Sequence, residues 1–377
     1  MVESRRPAQS AAAPGDERPS KSPTPWTYKS GPPGEAFTML IALVGGLGFY
    51  YAGVPGGAIS GSVLSVALLS YFGAATPIGN MMRLVAMAIT GTSIGSAIEP
   101  AMLRNVANYP VSIGIMIVCV VCVTLASMAV SVLISRWSKP TALLAAVPGS
   151  MAYILSVALS MGADLPRVAV VQMSRVIFLV VLLPIVIVME SGAHLVPLSG
   201  AIVDPPFALV YTGVAAVALG LVFVRLRMGG GMLFGAMIAS GIIHATGLAP
   251  GRVPMPIMLL GQIMIGAWAG SRFAGFDWNL FGRTILSSTL AIGASLVVAF
   301  VFAVFASNVL GMPFGATLIA YAPGGLEAMM VLALGLGIDP LFVSAHHFSR
   351  YFLINFTLPL IIQWLMKRER SKVGTDL

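Results

Sequence analysis

Apolar stretches recur along this chain from residue 36 to residue 366, with no soluble-looking block between them. Of the 377 residues, 58% are hydrophobic and 9% are charged, whereas a soluble domain carries about 25% charged residues. Several of the stretches reach the ~20 residues that a helix needs to span a bilayer. The sequence therefore predicts an all-α polytopic integral membrane protein with one membrane domain and the lipid bilayer as its surroundings.

Both ends of the chain differ from this apolar region. Residues 1–35 are rich in proline, serine and charge and predict a disordered tail, while residues 367–377 form a short basic tail. Lysine and arginine accumulate on cytoplasmic flanks of membrane spans, so both termini are predicted to be cytoplasmic. The basic residues of the tails are Arg5, Arg6, Arg18, Lys21, Lys29, Lys367, Arg368, Arg370 and Lys372.

Two blocks of the chain match each other without a gap. Residues 148–187 align on residues 323–362 at a shift of 175 positions (323 − 148), which predicts two tandem repeats, 36–190 and 206–366, joined by a connecting loop, 191–205. The matching residues that an apolar composition would not supply by chance are Pro148/Pro323, Gly149/Gly324, Gly162/Gly337, Asp164/Asp339, Ser174/Ser349, Arg175/Arg350, Pro184/Pro359 and Gly91/Gly266.

Each repeat contains six apolar stretches. They are residues 36–53, 57–73, 81–98, 111–135, 141–161 and 168–189, then 206–224, 229–247, 256–274, 284–309, 315–337 and 341–366. If all twelve cross the membrane, the repeats are parallel; if the second stretch of each repeat does not cross, ten cross and the repeats are inverted. The central connection, 190–206, has no Lys or Arg, which favours an external position and inverted repeats.

Small residues at helical spacing occur at repeat-equivalent places. Gly-x-x-x-Gly spacing lets two helix backbones approach closely in lipid, so these glycines are predicted to pack helices rather than to bind a ligand. The four pairs are Gly57/Gly61, Gly91/Gly95, Gly231/Gly235 and Gly266/Gly270.

Proline and glycine predict a break in the fifth stretch of each repeat. Pro323 lacks a backbone donor and Gly324 and Gly325 tolerate non-helical angles, so the helix over 315–337 should break near its middle. Pro148 and Gly149 predict the same break in 141–161. Such a break exposes the positive N-terminal end of the following half-helix, where transporters bind ions and substrates near the bilayer midplane.

Ionisable groups lie close to these breaks. Glu327 lies within an apolar stretch, where an ionised group costs about 2.5–3.5 kcal/mol. It could form a structural pair with Arg350, or it could couple a proton or cation to an anion held by the broken helices. Residue 152 is alanine where the second repeat has Glu327, so any such site is asymmetric. The predicted binding residues are Pro148, Gly149, Arg175, Pro323, Gly324, Gly325, Glu327, His347 and Arg350.

The two Pro-Gly…Gly-x-Asp…Arg…Pro blocks, each preceded by a Gly-x-x-x-Gly helix, resemble the duplicated AbrB-type family of bacterial membrane proteins. Members of this family are often labelled ammonia monooxygenase or AbrB-family regulator, and they are unrelated to the small DNA-binding AbrB fold. The resemblance implies a bacterial inner-membrane protein with a role in regulating gene expression. The first block departs from the family pattern, because Ser150 replaces the second glycine and no acid follows.

These residues do not favour an enzyme. The chain has four histidines, two of them adjacent and diverging on a helix, so no convergent ligand set for copper or iron is evident, and neither metal nor cofactor is predicted. Direct contact with nucleic acid is not predicted either. The favoured function is a transporter or permease for a small, anionic solute. The alternative is a membrane sensor or regulatory protein that binds a small molecule or ion; homo-oligomerisation stays open.

Overall fold

The computed structural model describes residues 32–98, 109–149, 151–191, 203–226, 228 and 230–373. Within these ranges it contains fourteen helices and no strand beyond one isolated bridge, Val203 with Arg252. The helices of the first half are α1 (Pro32–Tyr51), α2 (Gly57–Tyr71), α3 (Asn80–Ser96), α4 (Tyr109–Leu133), α5 (Lys139–Ala146), α6 (Met151–Ser160) and α7 (Leu165–Ser191). Those of the second half are α8 (Pro206–Arg225), α9 (Gly231–Ala245), α10 (Met255–Ser271), α11 (Trp278–Leu310), α12 (Phe314–Tyr321), α13 (Leu326–Gly335) and α14 (Pro340–Val373).

Five of the described helices are long and apolar enough to cross a membrane: α1, α4, α7, α8 and α11. This finding confirms the prediction of an all-α membrane protein. The predicted boundaries shift slightly, because α1 begins at Pro32 rather than at 36 and α14 continues through residues assigned to the basic tail, as far as Val373. Most of the N-terminal tail (1–31) and most of the connecting loop (192–202) lie outside the described residues.

The helices follow the same order of lengths in both halves. In α1 to α3 these lengths are 20, 15 and 17 residues, and α8 to α10 have the same values. Each half then has a long helix, two short helices of 8 and 10 residues, and a second long helix. This is the order that two tandem repeats would produce.

Counterpart helices of the two halves run in opposite directions. The Arg83 guanidinium lies 5.6 Å from the Trp268 ring, and a methyl group at Gly261 would lie 2.9 Å from Thr90 Oγ1. Residue numbers therefore rise along α3 while they fall along α10, so these two helices, third in their halves, are antiparallel. Inverted repeats require this orientation.

Hydrogen bonds show which helix ends lie on the same face of the protein. We call the face where α1 begins the N-side. The Gly79 amide donates to Glu35 Oε2 at 3.1 Å, so α3 also begins at the N-side. At the other end of α3, Ser96 Oγ accepts from the Val253 amide at 3.2 Å. The Asp204 amide donates to the neighbouring Arg252 carbonyl at 3.1 Å. Helix α8 therefore begins at the opposite side.

The fifth apolar stretch of each half reverses direction instead of crossing. The Asp164 amide, which follows α6, donates to Thr141 Oγ1 in the first turn of α5 at 3.0 Å. If α5 and α6 were collinear, these residues would be roughly 30 Å apart at 1.5 Å per residue. In the second half, a methyl group at Gly315 in α12 would lie 3.3 Å from Ile338 Cδ1, beyond α13. Each pair is thus a hairpin with its turn at the predicted Pro-Gly break.

This corrects the expectation about which stretch does not cross. The second stretch was expected to stay on one side, but α2 runs antiparallel to α1. Gly61 in α2 packs on the backbone of Gly45 in α1. Beyond the end of α2, the Thr76 amide donates to Thr38 Oγ1, near the start of α1, at 2.9 Å. The hairpins enter from opposite ends of α4. The α5–α6 hairpin follows the last residue of α4, whereas Asp339, after α13, accepts from the hydroxyl of Tyr109, the first residue of α4.

All eight predicted packing glycines lie at close helix crossings. Gly57 and Gly61 on α2 face the backbone of α1, and Gly231 and Gly235 on α9 face the backbone of α8. Gly91 and Gly95 on α3 face α9, while Gly266 and Gly270 on α10 face α2. A methyl group at any of these positions would approach a neighbouring atom to within 3.0 Å. The glycines therefore allow these helices to pack more closely than larger residues would.

Candidate functional site

A cavity of about 330 Å³ lies between the turns of the two hairpins. It extends from these turns to the N-side ends of α3 and α10 and to the junction between α8 and α9. Eight of the nine predicted binding residues line it; Pro323 is buried in its turn and does not. The lining residues are Asn80, Arg83, Leu84, Met87, Pro148, Gly149, Gln172, Arg175, Val176, Val224, Met228, Gly230, Gly231, Met232, Trp268, Arg272, Gly324, Gly325, Leu326, Glu327, His347, Arg350 and Tyr351.

Arg350 holds the turn of the second hairpin. Its guanidinium donates to the Ala322 carbonyl at 2.5 Å and to the Gly324 carbonyl at 2.8 Å, and the side chain is almost fully buried. Ala322 is the C-terminal cap of α12, where helix carbonyls lack an internal partner and the helix dipole is negative. The arginine therefore satisfies carbonyls that the Pro-Gly break leaves open at membrane depth.

Arg175 does the same in the first hairpin. It donates to the Ala146 carbonyl at 3.2 Å and to the side-chain oxygen of Gln172. Gln172 in turn donates through Nε2 to the carbonyls of Leu144, at 2.9 Å, and Val147, at 3.0 Å. The backbone carbonyls at the buried C-terminal end of α5 thus accept hydrogen bonds from one arginine and one glutamine amide.

His347 takes the place of Gln172 in the second hairpin. Its Nε2 lies 3.0 Å from the carbonyl oxygen of Ile319, the residue aligned with Leu144. Its Nδ1 lies 2.5 Å from the Arg350 guanidinium, which can only donate. Because Nδ1 must accept and Nε2 must donate, His347 is a neutral imidazole with one N–H. A neutral imidazole and a glutamine amide here make the same two hydrogen bonds.

Of the two alternatives for Glu327, the structural pair with Arg350 does not form in the described structure. Among the described residues no ion pair joins them, because the Arg350 donors point at the turn carbonyls and at His347. Glu327 lies in the first turn of α13, half-buried at the cavity, and its cationic neighbour is Arg272. The carboxylate therefore remains available on the cavity wall.

The adjacent His346 points away from the cavity. Its Nε2 lies 2.8 Å from Ser112 Oγ on α4, and its Nδ1 lies 2.8 Å from the Phe342 carbonyl. These partners satisfy the ring, so His346 links α14 to α4. In the described part of the chain, no three His, Cys, Asp or Glu side chains are arranged to hold a metal ion.

Sequence reasoning missed two arginines and a tryptophan of the cavity. The Arg272 guanidinium stacks 3.8 Å above the Trp268 ring, and within the described residues it makes no hydrogen bond or ion pair. Arg83 donates to Asn80 Oδ1 at 2.7 Å, but its Nε is buried without a partner among the described atoms. Each of these arginines is a charged residue inside an apolar stretch, and this is the sequence signal that could have identified it. Comparison of the repeats did not reveal them, because Arg83 aligns with Met258 and Arg272 with Ala97.

The cavity wall has an excess of positive charge. Four guanidinium groups line it against one carboxylate, Glu327. The N-terminus of α13 also faces it through Gly325, Leu326 and Glu327, and no side chain caps this helix. Free amides at a helix N-terminus favour negative charge. A small anion is the ligand that this arrangement would bind best.

Comparison with known proteins assigns the chain to a family. The family model described as "Transition state regulatory protein AbrB" matches residues 59–366, which include both hairpins and all the residues that line the cavity. The chain belongs to this AbrB family. One relative, "Putative regulator AbrB" of Escherichia coli (strain K12), is 26% identical over 336 residues, covering 86% of this chain and 94% of that protein.

A second relative of this AbrB-family chain is "Uncharacterized protein YhjN" of Bacillus subtilis (strain 168). It is 24% identical over 288 residues, which cover 72% of this chain and 75% of that protein. The resemblance inferred from the duplicated blocks is therefore confirmed at the level of the family.

Proposed function

We propose that this AbrB-family protein is a membrane transporter for a small, anionic solute, which binds between the two hairpin turns. The observation that carries the proposal is the set of four arginines and one glutamate around a cavity of about 330 Å³. Unpaired charges away from bulk water are costly unless a counter-charge accompanies them. A solute with one or two carboxylate or phosphate groups would supply that counter-charge.

The arginines divide into two pairs with different tasks. Arg175 and Arg350 hold the turns, since their donors meet backbone carbonyls. Arg83 and Arg272 would contact the solute, because Arg272 lacks a hydrogen-bond partner in the described structure and the Nε of Arg83 is unused. Glu327 lies beside Arg272 and would take up a proton or a cation when the solute binds.

The architecture suits alternating access. Inverted repeats allow the hairpins to expose one site to either side of a membrane in turn. Basic residues lie at the N-side ends of helices, among them Arg83, Arg225, Arg272 and Arg283. We therefore propose that the N-side faces the cytoplasm of a bacterial inner membrane, with both termini in the cytoplasm.

The proposal is tested by flux in proteoliposomes. Purified protein would be reconstituted with internal solute, and uptake of radiolabelled acetate, succinate, lactate or phosphate would be followed under proton and sodium gradients. The variant R272Q should reduce uptake at least tenfold, because it removes the cation that faces the solute. The control R283Q removes an exposed arginine outside the cavity and should leave uptake unchanged.

A second candidate function follows from the name of the Escherichia coli relative, which describes a regulator. A sensor would bind the same anion without moving it across the membrane. Wild-type protein that is stabilised by an anion, with this effect lost in R272Q, but that catalyses no flux under any gradient would favour the sensor and overturn the transporter.

A further inference from the structure

A buried acid–base pair lies at the opposite end of α9 from the cavity. Helix α9 begins at Gly231, on the cavity wall, and its last turn contains His244. His244 Nε2 lies 2.8 Å from Oδ2 of Asp204, in the segment before α8. Their side chains are only 4% and 0% exposed. Neither residue lines the cavity.

The hydrogen bonds of this pair fix its proton count. His244 Nδ1 lies 2.7 Å from the carbonyl oxygen of Ser240, which can only accept. The Ser240 hydroxyl donates its proton to the Thr92 carbonyl at 2.8 Å, so it has none left for Nδ1. Nδ1 must therefore carry a hydrogen. The contact between Nε2 and Asp204 then needs a second hydrogen, on either the ring or the carboxyl.

The pair connects several segments of the opposite side. Asp204 Oδ1 accepts from the Gly251 amide at 2.8 Å, and the Asp204 amide donates to the Arg252 carbonyl. The same loop is bound to α8, where the Tyr211 hydroxyl donates to the Leu248 carbonyl at 2.5 Å. Hydrogen bonds of Asp204 and His244 thus connect the segment before α8, the end of α9 and the loop over 246–254.

We propose that Asp204 and His244 form a proton-binding site, the Asp204–His244 clasp, which keeps the opposite side of the protein closed. Loss of the proton leaves the carboxylate facing the lone pair of Nε2, so the clasp loosens as pH rises. In the described structure, the other charged or titratable groups around it are Arg252 in the loop and Tyr211 on α8. The role of the clasp as a gate rests on the proposed transport function; the proton site stands on its hydrogen bonds.

Cysteine labelling tests the clasp without measuring transport. In a C119A/C122A background, Ala249→Cys would report opening, because Ala249 is 3% exposed, and Leu248→Cys would serve as control, because Leu248 is 67% exposed. The ratio of their maleimide labelling rates cancels the effect of pH on the thiol itself. Between about pH 5.5 and about pH 8.5 we expect this ratio to rise, by up to about tenfold for each pH unit over which the closed state holds one proton more than the open state.

Two further variants keep the test decisive. In Asp204→Asn, the amide nitrogen can donate to Nε2 without an extra proton, so the ratio should stay low at every pH. In His244→Leu, Asp204 loses its partner on α9, so the ratio should be high at every pH. A flat ratio in the wild-type background, or a persistent pH dependence in Asp204→Asn, would overturn the clasp. A pH-dependent ratio in a protein that transports nothing would retain the proton site and reject only the transporter.

Discussion

In both hairpins an arginine and a second side chain satisfy backbone carbonyls at the turn, but the second side chain differs. In the first, Arg175 and Gln172 satisfy the end of α5; in the second, Arg350 and His347 satisfy the end of α12. Beyond the turns the halves differ, because Glu327 lies in the first turn of α13 whereas the sequence has Ala152 at the aligned place. The shared arginines hold the backbone at the breaks, and the two halves differ chemically in the residues that they do not share.

The largest effect is expected from removing the turn arginines. Arg350 serves two buried carbonyls and Arg175 one, and each carbonyl left without a donor costs about 1–3 kcal/mol. R350Q should therefore lower the thermal stability in detergent more than R175Q does. Equal stability of R350Q and wild-type protein would contradict the assignment of Arg350 to the turn.

Glu327→Gln should separate binding from stability. Glu327 is half-buried and forms no ion pair with Arg350 in the described structure. The unfolding temperature of the variant protein should therefore differ little from that of the wild-type protein. Flux driven by an ion gradient should fall at least tenfold, while exchange of labelled for unlabelled solute at equilibrium continues. Flux and exchange that both equal those of wild-type protein would remove Glu327 from the coupling step.

The smallest effect is expected where the halves are interchangeable. His347→Gln restores the residue of the first repeat, with one donor for Ile319 and one acceptor for Arg350, so it should cost less than about 1 kcal/mol of stability. His347→Leu keeps the volume but removes both hydrogen bonds and should cost about 1–3 kcal/mol. If both variants were equally damaging, His347 would have a task that Gln172 lacks.

The sequence predicted the helix breaks but not their geometry. Proline and glycine at 148–149 and 323–325 prevent a continuous helix locally, whereas the reversal of direction depends on distant contacts such as Thr141 with Asp164. The two ends of the first hairpin lie 23 residues apart along the chain (164 − 141), and periodicity carries no information about such pairing.

Of the four arginines that line the cavity, the sequence indicated the two that both repeats share. Arg175 and Arg350 stood out because they align, and the structure gives them backbone partners. Arg83 and Arg272 have apolar counterparts in the other repeat, and only the antiparallel packing of α3 on α10 brings their side chains to one tryptophan. Their convergence is therefore a tertiary effect without a local sequence signal.

Anion-dependent stability tests the central claim most directly. Unfolding temperatures of purified wild-type protein, R272Q and R283Q would be measured with increasing succinate, lactate, acetate and phosphate, with chloride at equal ionic strength as the reference. A ligand at about 100 times its Kd stabilises a protein by about 2.7 kcal/mol. We expect at least one of these anions to stabilise wild-type protein and R283Q but not R272Q. Equal stabilisation of R272Q and wild-type protein, or no stabilisation by any of the four, would contradict an anion site between the hairpin turns.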